Sequence, residues 1–341
     1  MEDILKALIC ASERAASVAK SCCIGAAKDS LLVAEKGEGE ANARFDKDFK
    51  TIADVLAQES ARYEIALRCP DLAKQLRGEE CAEIGGVTIK LCESEEKTAE
   101  LLSSLVPLQA AKRMAEAAHG EIKVTLNNPP VHVADINPCD LGVWIDPIDA
   151  TAEFIAGVRG EADADRGLPC VTVLIGAYLR STGEPIVGVI NQPFYSGGKG
   201  RIIWGVSYGK TRKWSEGDTS KHSIDKTVLI SGAENPAIVK KFKACGWEVK
   251  SVPGAGHKLL KVAIGEAAAY IVSKGSTFRW DTCAPHAILR AQGGDLLCYT
   301  THKPVTYNDP MECDTQQYAN SGGIIAYTNT KVLEDLKKIL N

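Results

Sequence analysis

The chain has 341 residues, 45% of them hydrophobic and 25% charged, with a formal net charge of −4. A chain of this length buries a large core, and length scaling gives about two domains. It carries no basic stripe interleaved with aromatics and no long block of like charge, which argues against nucleic acid as the partner.

The opening stretch MEDILKALICASERAASVAK starts acidic and places Ile4, Leu8 and Ala15, with Leu5, Ile9 and Val18, on roughly one helical face, whereas a secretory signal starts basic. It predicts a helix from Met1 to about Cys23, stopped by Gly25. Next, AEKGEGEANARFD is polar and Gly-rich and predicts an exposed connection, followed by a helix from Asp46 to Arg68 that ends at Pro70. IGGVTIKLC (Ile84 to Cys92) predicts a strand or hairpin, EEKTAELLSSL and AAKRMAEAAHG predict helices, and a Pro-rich stretch lies at Asn128 to Pro130.

From Leu141 the runs LGVWI, CVTVLIGAYL, PIVGVINQP and RIIWGVSYG read as strands, and the STGEP turn signal makes them an antiparallel meander. Lys210 to Lys226 is polar and reads as a link between lobes. Beyond it, strand-like TVLIS, WEVKSV, AAYIVSK, LLCY and GGIIAYT alternate with helical NPAIVKKFKACG, GAGHKLLKVAIG, DTCAPHAILRAQGG and VLEDLKKIL, which predicts an α/β sheet with helices on both faces. The longest apolar runs fall short of the roughly 20 residues that span a bilayer, so no membrane is expected. The 12 cysteines include no C-x-x-C pair; in a large chain without an export signal they read as reduced thiols in the cytoplasm.

The stretch WIDPIDAT, Trp144 to Thr151, carries the chemistry. A strand delivers Asp146 to its end, Pro147 stops the ladder, and Asp149, Ala150 and Thr151 stand where the helix TAEFIAG begins. A helix start favours phosphate, and paired carboxylates favour Mg2+, so metal and phosphate would meet at one turn. An Asp-Pro turn followed by a helix cap explains the octapeptide equally well. Further acids stand in RGEECAE (Glu79 and Glu80), in FKTIADVL (Asp54) and in FRWDTCAPHAIL (Asp281). Each alone reads as a turn acid, a solvated residue or a cap. Asp54 is the most telling, because apolar neighbours put it near a buried face, where it needs a hydroxyl or a hydrated metal as partner.

Taken together, Asp54, GEE at Gly78 to Glu80, DPIDAT at Asp146 to Thr151 and WDTCAPHA at Trp280 to Ala287 resemble the magnesium-dependent, lithium-sensitive phosphatase superfamily. Within it the chain is most similar to the branch that acts on small-molecule inositol phosphates bearing more than one phosphate, with a bisphosphate-nucleotide branch as the nearest rival. A non-catalytic inositol-phosphate binder on the same fold is the rival from another class, against which the paired Asp54 and Thr151 argue.

The resemblance implies an α/β chain with an α+β N-terminal lobe, in a layered αβαβα sugar-phosphatase fold whose active site lies between two lobes. These are an N-terminal metal-binding lobe over 1–220, with the antiparallel sheet, and a C-terminal substrate-recognition lobe over 221–341. It implies two to three Mg2+ ions, inhibition by Li+, and a small-molecule partner, and a monomer is compatible with it. By resemblance, Glu79, Asp146 and the backbone carbonyl of Ile148 hold one ion, Asp146, Asp149 and Asp281 a second, and Glu79 helps hold a third through water. Glu80 is counted with Glu79 among the metal residues. Thr151 and Asp54, with Glu79 nearby, take the proton of the attacking water, and the amides of Ala150 and Thr151 hold a phosphate oxygen.

Ala150 departs from the Gly or Ser usual there; since the amide alone is needed, little harm is expected. Gly254 and Ala255 are expected to face the substrate ring. Lys258 either pairs with a second phosphate or is an ordinary surface lysine. Lys274 replaces the acid usual seven residues before Asp281, and either favours a second phosphate or points to solvent; Ser276, Thr277 and Arg279 are further candidates. His286 is expected to pack rather than act as a base. The six histidines form no H-E-x-x-H cluster, which argues against zinc, and no Ser or Cys nucleophile elbow is present.

Overall fold

The computed structural model describes residues 2–24, 31–37, 48–124, 136–163, 165–216, 226–308 and 318–340. The Asn128 to Pro130 stretch lies outside them. Helix α1 (Glu2–Ser21) buries the expected apolar face, with Leu5, Leu8, Ile9, Ala15 and Val18 inside. Strand β1 (Val33–Glu35) pairs antiparallel with β2 (Phe49–Thr51), and α2 (Ile52–Arg68) follows at once.

The second helix therefore starts later than the Asp46 expected from the sequence. Thr51 caps it: its hydroxyl accepts from the Ala53 and Asp54 amides at 3.1 and 3.3 Å, and the Asp54 carboxylate accepts from the Thr51 amide at 2.7 Å. This reciprocal box fixes the start. Pro70 ends α2 as expected and opens the short α3 (Pro70–Ala73). Then come β3 (Leu76–Gly78), a small hairpin of β4 (Glu83–Ile84) and β5 (Val87–Thr88), and the helices α4 (Glu95–Ser103) and α5 (Leu108–His119).

The meander is built from β6 (Leu141–Asp149), β7 (Thr172–Leu179), β8 (Pro185–Gln192), β9 (Arg201–Tyr208) and β10 (Thr211–Trp214), with α6 (Thr151–Arg159) after β6 and the single turn α7 (Tyr195–Gly198) after β8. The sheet order is β10-β9-β8-β7-β6-β3, antiparallel throughout except that β3 runs parallel to β6. The expected link from Lys210 is in part strand β10, and 217–225 lie outside the described residues.

A second, mixed sheet has the order β12-β11-β13-β15-β14, from β11 (Thr227–Ile230), β12 (Glu248–Ser251), β13 (Ala269–Val272), β14 (Asp295–Cys298) and β15 (Ile324–Tyr327). Its helices are α8 (Pro236–Ala244), α9 (Ala255–Ala263), α10 (Arg279–Ala291) and α11 (Thr330–Leu340). Helices α1 and α2 cover one face of the first sheet, α9 and α10 lie between the two sheets, and α8 and α11 cover the far face of the second. The layers are αβαβα. Among the described residues no helix is long and apolar enough to cross a membrane.

One cross-strand row explains how α10 reaches its place. Trp144, Gly176, Gly188, Gly205 and Trp214 are register partners on five adjacent strands, so they share one face. The three glycines form a trough for the α10 backbone. A methyl group on Gly176 would stand 2.6 Å from the Ala284 nitrogen, one on Gly205 2.7 Å from the Ile288 Cα, and one on Gly188 would overlap the Ala284 carbonyl oxygen. Gly188→Ala is accordingly expected to lower stability by about 1–3 kcal/mol through overpacking and to depress activity by shifting the helix that carries Asp281; urea unfolding midpoints and turnover on the same preparation check both.

Candidate active site

Asp146 and Asp149 leave the end of β6, where the pairing register with β7 shifts between them, and Asp281 stands in the first turn of α10. Asp281 accepts from the Phe278 amide at 2.6 Å, which fixes its rotamer at the helix start. One ligand oxygen from each of the three aspartates lies within 4.8 Å of the others, and all three residues are buried. Burial, and then repulsion from neighbouring carboxylates, pushes Asp146 and Asp281 well above the usual carboxylate range; burial foremost raises Asp149, to about 6.

None of the three has an ion-pair partner among the described residues. Buried, mutually repelling carboxylates need compensating positive charge, and hard oxygen donors in this number suit Mg2+. The donor set thus fits the metal that the motif implies. Asp149 is further oriented from across the cleft: its Oδ2 accepts from the Gly256 amide at 3.0 Å and from the Thr172 hydroxyl at 3.3 Å.

Glu79 lines the same cleft but stands outside the three-aspartate group. Lys36 forms ion pairs with both Glu79 and Glu80, the latter at 2.9 Å. Burial alone would lower the Lys36 pKa, but Glu79 and Glu80 outweigh it and hold the ammonium charged. Glu80 is buried, does not line the cleft, and has its backbone amide held by Gln58 Oε1 at 3.1 Å; burial and then Glu79 push it up to about 8. The exposed connection expected from Ala34 to Asp46 is therefore corrected at Lys36, which is buried; 38–47 lie outside the described residues. A lysine in a Gly- and Glu-rich stretch carries no local mark of a pairing made 43 residues away.

Asp54, buried as its apolar neighbours indicate, finds hydroxyl partners: Thr51 at one oxygen, and Thr151, whose Oγ1 donates to Asp54 Oδ1 at 3.2 Å. The same Thr151 hydroxyl is 3.2 Å from the Ile148 carbonyl oxygen. Burial foremost raises Asp54 to about 6, so it takes up a proton near neutrality. Ala150 and Thr151, expected to hold the phosphate, line the cleft together with Ala152, and the Thr151 and Ala152 amides, in the opening turn of α6, have no earlier helical acceptor.

Ala150, just before that helix, is left-handed at φ 70°, ψ 48°. An L-residue pays about 1 kcal/mol for this. Ala150→Gly is expected to raise stability by about 1 kcal/mol with activity within twofold, measured by denaturant unfolding beside turnover.

The cleft between the sheets has a volume of about 1060 Å³. Gly254, Ala255, Lys258, Ser276 and Thr277 all line it. Lys258 is not a surface lysine: it is buried, its Nζ donates to the Val252 carbonyl at 3.0 Å and lies 5.2 Å from the Tyr270 ring centroid. Lys274 is exposed and does not line the cleft. Arg279 donates to the Asn308 carbonyl, away from the cleft. His286 is buried between the Tyr307 hydroxyl at 3.0 Å and Asp295 at 2.5 Å, a packing position.

Sequence reasoning missed Lys36, Gly256 and Thr172 as supports of the acids, and also Glu153, which accepts from the Gly167 amide and Arg166 Nη2, both at 2.6 Å, and so holds Arg166 on the cleft wall.

A model of the inositol monophosphatase family matches residues 5–333, which include every site residue above. The chain belongs to that family. Within the family it is 37% identical to the human protein described as inositol polyphosphate 1-phosphatase, an alignment covering 100% of this chain and 97% of that one. It is 30% identical to rat 3'(2'),5'-bisphosphate nucleotidase 1, over 91% of this chain and 90% of the relative. Among solved structures, the extragenic suppressor protein suhB of Bartonella henselae shares the fold, with a TM-score of 0.60, 16% identity and coverage of 99% and 98%. As a member of the inositol monophosphatase family the chain is a phosphatase with a metal-dependent site, and the three-aspartate group is where its own residues offer that site.

Proposed function

We propose that the chain removes the 1-phosphate from inositol 1,4-bisphosphate and inositol 1,3,4-trisphosphate by direct attack of water, with Mg2+ as cofactor and Li+ as inhibitor. The observation that carries this reading is the juxtaposition of three buried aspartates, without ion-pair partners among the described residues, with the start of α6 and the Thr151–Asp54 pair. The identity to inositol polyphosphate 1-phosphatase over the full chain supports the substrate class.

Asp146, Asp149 and Asp281 would hold Mg2+, with Glu79 on the cleft wall beside them. When bound, Mg2+ supplies the charge that offsets the phosphate oxygens and promotes ionisation of water. The opening amides of α6 orient the phosphate by donating to its oxygens. Thr151 Oγ1 accepts a proton from the attacking water as its own proton passes to Asp54 Oδ1, 3.2 Å away. No covalent enzyme intermediate is formed in this scheme, because no side-chain nucleophile is required. The reading places the enzyme in the cytoplasm, in keeping with the free thiols of every described cysteine.

The test compares phosphate release from inositol 1,4-bisphosphate and from 3'-phosphoadenosine 5'-phosphate, each with Mg2+ and with Mg2+ plus Li+. Preference for the inositol substrate, inhibited by Li+, is the expected result. Preference for the nucleotide would move the substrate to that of the nucleotidase relative, and tight binding of the inositol phosphate without turnover would make the chain a binder.

A further inference from the structure

The cations on the wall of the cleft differ in how they are neutralised. Arg166 is matched by Glu153 at 2.6 Å and Lys261 by Glu266 at 2.7 Å. Arg201, the first residue of β9, also lines the cleft but has no ion-pair partner among the described residues.

Arg201 is nevertheless held in place. Its Nη2 donates to Oε1 of Gln192, its register partner on β8, at 2.9 Å, and its guanidinium carbon lies 4.1 Å from the Tyr195 ring centroid. Gln192 is buried and is anchored in turn, its Nε2 donating to the Pro169 carbonyl at 2.7 Å. The Nε of Arg201 is buried without a hydrogen-bond partner. A guanidinium fixed by stacking and by one edge, with donors to spare and its charge uncompensated, is preorganised for an oxyanion that accepts two parallel hydrogen bonds.

Its place in the sheet sets the size of the ligand. Strand β9 is three strands away from β6, so at about 4.8 Å per strand the backbone of Arg201 lies about 14 Å across the sheet from that of Asp149. The arginine side chain closes part of this gap. The start of α6 and Arg201 line the same cleft of about 1060 Å³, which suits a ring-sized body carrying an anion at each end.

We propose that Arg201 docks a second phosphate, carried on the side of the substrate ring opposite the phosphate that is cleaved. This rests on the inositol-phosphate reading above, and it makes a ring with two phosphates at opposite positions the preferred substrate class, ahead of a monophosphate. Stacking on Tyr195 and the Gln192 contact hold the guanidinium in place without a carboxylate partner among the described residues.

Steady-state kinetics with inositol 1,4-bisphosphate and Mg2+ test it, using wild type, Arg201→Gln and Arg201→Lys. Loss of a charge-assisted contact should raise the KM of Arg201→Gln about tenfold or more while kcat stays within about twofold, with Arg201→Lys in between. The inhibition constant of inositol 1-phosphate, which lacks the distal group, should be the same in all three. An unchanged KM, a fall in kcat alone, or equal weakening of the monophosphate would overturn the proposal. If Arg201→Gln does not fold, Gln192→Ala frees the guanidinium without removing its charge and should raise KM for the bisphosphate alone; an unchanged KM there is equally fatal. Absence of bisphosphate turnover by the wild type would instead bring down the underlying functional reading, and this proposal with it.

Discussion

Asp146→Asn is expected to reduce phosphate release by about 1000-fold or more and, in the same protein, to stabilise the metal-free fold. The asparagine keeps an oxygen where Asp146 Oδ1 accepts from the Ile148 amide at 3.2 Å, so the turn after β6 survives. What is lost is one of three buried charges that repel each other.

The pH dependence follows from the direction of the shifts. Asp146 and Asp281 are raised, Asp149 and Asp54 lie at about 6, and Glu80 at about 8, in each case chiefly through burial. A carboxyl raised on folding binds its proton more tightly in the folded state, so its stabilising contribution is full below the unfolded pKa and is lost as pH rises through the folded one. The metal-free protein should therefore lose stability between about pH 4 and pH 8, and Mg2+ should restore more of it at pH 8 than at pH 5. Thermal melts with and without Mg2+ check this. In Asp146→Asn the loss with pH and the rise produced by Mg2+ should both shrink; wild-type activity in that variant would remove Asp146 from the site.

The second large effect is at Asp54. Asp54→Asn should lower kcat by about 100- to 10,000-fold, the range of a lost general base, with KM within a few-fold. The amide side chain still accepts from the Thr51 backbone at the start of α2 but no longer takes the proton relayed by Thr151. Asp54→Ala loses the cap as well, and should be about 1 kcal/mol less stable than the asparagine variant. At saturating Mg2+, which outcompetes protons at the three aspartates, the acid limb of the wild-type pH–rate profile is expected from Asp54, raised by burial to about 6, and should weaken in Asp54→Asn. Retention of that limb would assign it to another group.

What the sequence disclosed divides along a physical line. Features held within one short segment were legible: Asp146 and Asp149 at a strand end before a helix, Asp54 among apolar neighbours, Asp281 at a helix start. Their chemistry is written in the residues next to them, and the family resemblance joined the segments.

Features that depend on how distant segments meet were not legible. Lys36 is buried against Glu79 and Glu80, which follow it in the chain only after α2 and β3. The Gly256 amide grips Asp149 across 107 residues, whereas the sequence of that turn points only to Gly254 and Ala255 facing the ring. The alignment of Gly176, Gly188 and Gly205 under α10 exists only once the strand register is set. Capping also outweighed pattern at α2, where Thr51 starts the helix after a paired strand that the apolar spacing had absorbed into it.

The most direct test of the account is the initial rate of phosphate release from inositol 1,4-bisphosphate by wild-type protein in chelator, followed by titration with Mg2+. Buried aspartates that exist to hold a catalytic cation require no release in chelator and a rate restored by Mg2+, with Asp146→Asn silent throughout. Release that continues undiminished in chelator would contradict the assignment of these three acids.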